Sequence, residues 1–336
     1  GFEANGLKAE CPDVVTLKAD DNTMHNVLTL TGRSYIVGEV TYDDAQKKII
    51  FRDLNGKDLN ELDKIPAQVM DYGPDSYATQ SYYIDDEESE YYGKTVSVSW
   101  FSGVPGAAES IESGLLAEAR KVWNGGGMTV PVEWGLEKTA DGYVLTQTPI
   151  VKNSSAFEKT EIYSGVDVSI SPSDGNLLSG INTHCLELYA EITNPEDKPV
   201  YFRINMKGEE YTEIGWNAQD GYYVDRSHTA DAGLSMNNYR VKYSSGACGS
   251  GRQTFYILSD NGGVEVFCED FTIPFYVLTF SSPYAVGARF FAEGEVTATI
   301  KANGISSVWR GAEAEENETV LYTDTQNVEL DKTLTQ

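Results

Sequence analysis

Long apolar runs are missing from this 336-residue sequence. No stretch approaches the roughly eighteen consecutive apolar residues that a membrane-spanning helix needs, so nothing in it is expected to cross a bilayer. Positive charge is scarce too: 25 lysines and arginines stand against 52 aspartates and glutamates, a formal net charge of -27 with a pI near 4.3. Phosphate recognition needs a basic surface, so nucleic acid is excluded as a partner and anionic substrates would be repelled. A neutral sugar is compatible with this balance. Only four cysteines occur, Cys11, Cys185, Cys248 and Cys268, without any C-x-x-C spacing. They are too sparse for a disulfide framework and wrongly spaced for zinc, although one disulfide among the last three stays open. The three histidines, His25, His184 and His228, are isolated. There is no phosphate-cradling glycine loop and no Ser–His–Asp order, so no metal and no cofactor is expected. The first residues lack a basic stretch followed by an apolar one, so no signal peptide is read there.

What is present is a globular composition, 40% apolar and 23% charged, long enough for one large domain or two ordinary ones. Tyrosine (21), phenylalanine (12) and tryptophan (5) are plentiful, which suits β cores and sugar-stacking sites alike. Short alternating runs predict strands at Val14–Leu17, Val27–Leu30, Tyr35–Tyr42, Ile49–Arg52, Ser76–Ile84 and Thr95–Phe101, with polar turns between them. One helical pattern, residues 107 to 123, places Ile111, Leu115, Ala119 and Val122 on one face. Strands return from Met128 to Ile150 with a hairpin at Ala140-Asp141-Gly142. Beyond Val166 the spacing of Leu186–Thr193, Val200–Met206 and Tyr211–Trp216 reads as an antiparallel sandwich, with tight hairpins at Asp220-Gly221 and Asn261-Gly262-Gly263. The acidic run Asp85–Glu90 reads as a solvated loop tip ahead of a metal site. Two N-glycosylation sequons, at Asn153 and Asn317, matter only in a eukaryotic secretory setting.

The stretch Gly6-Leu7-Lys8-Ala9-Glu10-Cys11-Pro12-Asp13 precedes the first predicted strand. Pro12 cannot donate a ladder hydrogen bond, so Glu10 should project from a strand end or turn, where a partly desolvated carboxyl suits acid–base work. Taken alone, Glu10 reads as one acid among many and Cys11 as a small core residue, because so short a motif recurs by chance. Three further stretches bear on it. They are Asp71-Tyr72-Gly73-Pro74-Asp75-Ser76-Tyr77-Ala78, then residues 123 to 133 with Gly125-Gly126-Gly127-Met128-Thr129-Val130-Pro131-Val132-Glu133, and finally Tyr223-Val224-Asp225-Arg226-Ser227 with Gly263-Val264-Glu265-Val266-Phe267.

In this order and spacing, from about Leu7 to about Trp309, the set resembles glycoside hydrolase family 32, the invertases, levanases and inulinases. The resemblance implies an all-β chain: later blades of a five-bladed propeller over residues 1–152, a sandwich over 153–309, and an acidic tail or linker over 310–336. It implies retaining hydrolysis of sucrose or a fructan oligosaccharide, with Glu10 of the E-C motif as general acid/base. Cys11 beside it, Asp71 of the D-Y-G motif and Trp100 are implied to bind substrate. On residue type alone Asp71 is also a turn-former and Trp100 and Tyr77 are core aromatics. The family's nucleophile lies in a W-M-N-D-P-N-G motif and a second aspartate in an R-D-P motif, both well upstream of E-C. Arg52-Asp53-Leu54 follows the glutamate and lacks the proline, so it is no substitute. The sequence is therefore expected to be a C-terminal portion, inactive alone, whose missing half arrives as a separate chain or is replaced by a homodimer. Val132 stands where the family has arginine before the glutamate, which puts a salt bridge and the propeller–sandwich packing in question. The expected setting is extracellular or cell-surface. The competing reading is a non-catalytic fructan-binding or structural β-rich module.

Overall fold

The computed structural model describes residues 10–62, 65–101, 127–154, 157–229, 242–260, 263–279, 281 and 284–306. The helix expected over 107–123 and the tail beyond 309 lie outside these residues. The first sheet runs in order through β1 (Asp13–Lys18), β2 (Met24–Leu30), β3 (Ser34–Asp43) and β4 (Lys48–Asp53), with the short β5 (Gln68–Val69) paired to β3. The second takes β6 (Ser76–Tyr83), β7 (Thr95–Phe101), the short β8 (Gly127–Met128), β9 (Val132–Thr139) and β10 (Gly142–Pro149), in spatial order β10-β9-β7-β6 with β8 on β7. Every pairing in both sheets is antiparallel.

After a short 3-10 turn at Ile150–Lys152 comes β11 (Lys159–Ile170), then β12 (Leu186–Asn194), β13 (Val200–Lys207), β14 (Glu210–Asn217), β15 (Gly221–Asp225) and β16 (Lys242–Ser244). They are followed by β17 (Gly251–Asp260), β18 (Gly263–Cys268), β19 (Ile273–Leu278), β20 (Gly287–Ala292) and β21 (Val296–Ile305). A six-stranded sheet, β11-β21-β12-β17-β18-β19, faces a five-stranded one, β16-β15-β14-β13-β20. Leu188, Ile192, Phe202, Ile214, Trp216 and Phe255 are among the residues that fill the core between them. The expected strands therefore form, with ends moved by up to three residues.

Strand alternation explains how the halves join. On β17, Phe255 and Ile257 enter the sandwich core, while Tyr256 and Leu258 point the other way. On β19, Phe275 and Val277 enter the sandwich core, and Tyr276 and Leu278 leave it. The outward set meets Leu17, Val27, Tyr35, Phe101, Trp134 and Leu145 from the first two sheets in a second core. The β17–β18–β19 side of the six-stranded sheet is thus covered on both faces, which is why Ile273–Leu278 is apolar throughout. The loss of arginine at Val132 does not open this packing. Val132 is buried in the shared core, and Glu133 finds its cation in Lys94 at 2.6 Å.

Because the second core is built by both halves, the two should unfold together. Phe267, fully buried and edge-on to Tyr276 at 5.7 Å between ring centroids, is the residue to test. Phe267→Ala is expected to cost about 3–5 kcal/mol and to keep one cooperative transition in urea, followed by tryptophan fluorescence and circular dichroism. Two separated transitions would contradict a shared core.

Candidate functional site

Glu10 sits just before β1, on a segment shaped by Cys11 in the left-handed region (φ 47°) and by Pro12. The backbone carbonyl of Glu10 accepts a hydrogen bond from Thr31 N–H at 2.8 Å, which fixes the approach to the strand. β1 and β6 are edge strands of neighbouring sheets, and Asp13 ties them by accepting from Ser81 N–H at 2.9 Å and Ser81 Oγ at 2.5 Å. This places Tyr77, near the start of β6, against Glu10: the phenol donates to the Glu10 carboxylate. That bond is the main reason the Tyr77 hydroxyl is held above the ordinary phenol range.

Tyr77 pairs in register with Trp100 on β7, and Trp100 with Met128 on β8. Directly paired residues share a sheet face, so the phenol, indole and thioether form a row running away from Glu10. Trp100 is 41% exposed, and Met128 is exposed. The neighbours Ser99 and Phe101 point into the interior, so the alternation that could have buried Trp100 turns it outward. Cys11 is an exposed free thiol beside the carboxylate, and Cys248 and Cys268 are free as well.

Asp71 is placed differently. Its side chain is buried and accepts from Arg33 Nη1, from Gly73 N–H at 2.7 Å, from Ser76 Oγ at 2.6 Å and from Tyr276 N–H at 3.3 Å. Burial pushes its carboxyl up to about 6, against the opposing pull of Arg33 and the three hydrogen bonds. Asp71 therefore stands behind the Glu10–Tyr77–Trp100 row rather than in it, and reaches the row through Ser76. The glycine of its motif has a local cause: a Cβ on Gly73 would fall 2.5 Å from the backbone N and O of Tyr276. Arg33 needs a tight turn of its own, in which Gly32 has φ +72° and packs so closely that a Cβ would lie 2.3 Å from Thr79 Oγ1.

Three groups were not singled out from sequence as site residues. Asp75 and Arg226 form a buried ion pair at 2.7 Å between residues 151 positions apart. Glu265 lies on the β18 face turned toward the first two sheets, and both of its oxygens accept the Val130 N–H at 3.0 Å. Burial pushes Glu265 up to about 8; the Val130 bond opposes this, and Asp260 and Asp71 add to it. The signal available for Glu265 was a lone acid alternating with valines in Val264-Glu265-Val266. The rejected Arg52-Asp53 pair forms a turn, with Asp53 Oδ1 accepting from Asn55 N–H at 2.9 Å and Lys57 N–H at 2.8 Å. The acidic run near Asp86 is an exposed turn, and no group of side chains suited to a metal ion occurs among the described residues.

In architecture the chain falls among all-β proteins that join five-stranded antiparallel sheets to a two-sheet sandwich. Its sequence matches the Glycosyl hydrolases family 32 N-terminal domain over residues 2–149 and the Glycosyl hydrolases family 32 C terminal domain over residues 153–308, and the chain belongs to glycosyl hydrolase family 32. Sequence of both family domains is present, so a reading as a C-terminal portion alone is too narrow. The chain is 26% identical over 314 residues to the fructan beta-fructosidase of Streptococcus mutans, and 23% identical over 341 residues to a levanase of a Bacillus species. Those alignments cover 90% and 96% of this chain but 21% and 34% of the relatives. Among solved structures it is similar to an exo-inulinase of Aspergillus awamori, with a TM-score of 0.72 at 22% identity over 92% of this chain and 59% of that one. It is also similar to fructan 1-exohydrolase IIa of Cichorium intybus, with a TM-score of 0.63 at 15% identity over 88% and 61% of the two chains.

The buried carboxyls set a pH dependence. Folded Glu265 keeps a proton that the unfolded chain releases, so between the ordinary value of 4.5 and about 8 stability falls as pH rises. The limit for one such group is about 1.4 kcal/mol per pH unit. Asp71 adds to the lower part of that window. The unfolding free energy in urea is expected to decline from about pH 5 to about pH 8, and Glu265→Gln to flatten the upper half of the decline. A stability that climbs through this range would contradict the assignment.

Proposed function

We propose that the chain is part of a retaining glycoside hydrolase acting on sucrose or fructans, with Glu10 as the general acid/base. The observation that carries the reading is the row of Glu10, Tyr77 and Trp100 at the junction of the first two sheets, in a chain of family 32. A carboxyl with a phenol donor can protonate a leaving oxygen and later take a proton from water. An exposed indole beside it offers an apolar face to a sugar ring. Cys11, next to Glu10 in the chain, is read as a substrate contact, and Asp71 supports the row from behind by holding Ser76 and the Arg33 turn. Retention needs a second carboxyl about 5 Å from the first. No W-M-N-D-P-N-G motif occurs in these 336 residues. The reading therefore assigns the nucleophile to an aspartate outside them, and the two sheets before residue 150 to two later blades of a propeller, with the boundary to the sandwich near residue 152. The remaining blades would come from another stretch of polypeptide or a second copy, in an extracellular or cell-surface setting.

The named activities of the relatives, fructan beta-fructosidase, levanase and exo-inulinase, support fructose-containing substrates. A solved complex of the Cichorium intybus exohydrolase with 1-kestose supports an oligosaccharide in particular. The test is fructose release from sucrose, inulin and levan by the active assembly. Glu10→Gln keeps the shape but moves no proton, so kcat should fall by about two to four orders of magnitude. Substrates with a good leaving group should suffer much less in the first step. Near-normal sucrose turnover by Glu10→Gln would falsify the assignment, and fructan binding without any hydrolysis would favour a non-catalytic module instead.

A further inference from the structure

We infer that Arg226 of the sandwich is a positioning residue for the Glu10 carboxyl, acting through Asp75 and Tyr77. The inference rests on the proposed role of Glu10. Arg226 follows β15, and its buried guanidinium donates from Nη1 to Asp75 Oδ2 and to the Leu278 carbonyl, both at 2.7 Å, and from Nη2 to Tyr243 OH at 3.1 Å. Asp75 Oδ2 also accepts from Leu278 N–H at 2.7 Å, and Asp75 N–H donates to the Tyr276 carbonyl at 3.2 Å. Tyr72 N–H donates to the Pro274 carbonyl at 2.9 Å. Residues 72 to 75 thus run along the edge of β19 as if they were a further strand of the sandwich. Two residues later the Tyr77 phenol meets the Glu10 carboxylate.

The other hold on Glu10 ends at the same place. Thr31 N–H fixes the Glu10 carbonyl, and the Thr31 carbonyl accepts from Ala78 N–H at 3.0 Å. Arg33, two residues on, clasps Asp71 and the Gly73 carbonyl, the latter at 2.6 Å. Backbone and carboxyl of Glu10 are both referred to the segment 71–78, whose far side is clamped by Arg226. An apolar contact would hold two domains together equally well, because desolvating an ion pair consumes most of its attraction. What paired charges with fixed hydrogen bonds add is one allowed geometry. That is what a general acid requires, since small misplacements are costly in rate.

The test uses the full chain labelled with 13C at the tyrosine ζ carbon, with the Tyr77 signal identified by its loss in Tyr77→Phe. Glu10→Gln marks where this signal lies at neutral pH once the carboxylate partner is gone. Arg226→Met and Asp75→Asn are each expected to move the Tyr77 signal toward that position while near-ultraviolet circular dichroism shows a folded sandwich, and Arg226→Lys to restore part of the shift. A Tyr77 signal left at the wild-type position in folded Arg226→Met would overturn the inference and leave Arg226 a structural residue. If Arg226→Met does not fold, Asp75→Asn and Arg226→Lys decide by the same criterion. The readout needs no turnover. A Glu10→Gln enzyme that still released fructose would therefore sink the glycosidase reading alone, and an unmoved Tyr77 signal would sink the positioning role alone.

Discussion

The contact between residues 72–75 and the edge of β19 is the constraint on which the arrangement of the molecule turns. It brings an exposed strand edge, an ion pair and two aspartates that accept backbone N–H groups into one buried place. Edge strands carry unpaired backbone donors and acceptors that must be satisfied or exposed to water. Here the edge of the sandwich is satisfied by the segment that leads into β6. Around it, Tyr276 and Leu278 deliver the apolar area that Leu17, Val27 and Trp134 need on the other side.

The consequence for the candidate site is indirect but concrete. Glu10 is exposed at the surface, where a glutamate side chain ordinarily samples several rotamers. Its neighbours are each held by a further contact: Thr31 by Ala78, Tyr77 by its register with Trp100, and Ser76 by the buried Asp71. The proposed general acid is thus exposed while the contacts that hold it run back to buried Asp71, the combination that preorganisation would call for.

The strands were legible because their apolar residues alternate cleanly, and the pairing Tyr42 with Ile49 or Leu188 with Ile257 follows from that period. Glu10 stood out as a candidate only in company with the later stretches, because the proline and cysteine that follow it form too short a motif on their own. Tyr77 was read as a core aromatic, and the reason is local: between Tyr77 and Gln80 the register shifts, with Ala78 at φ 52°, so the period of two breaks there. Asp71 was legible as a special residue, but its burial was not, because three of its four donors come from turns and from a strand some 200 positions away. Asp75 and Arg226 could not be paired from sequence at all: nothing local to either predicts a partner 151 residues distant.

By covalent connection residues 71–75 belong with the first two sheets; by the hydrogen bonds of Tyr72 and Asp75 they are tied to the sandwich as well. A gene cut near codon 150 would follow the gap between the two family matches, yet it would divide the protein through a working interface and not at a passive linker. Exchange of sandwiches between relatives is therefore constrained at sites far from the join. Asp75 must travel with Arg226, and a residue small enough to lie against Tyr276 must stand at position 73. The unit of recombination in this chain is larger than either of its domains.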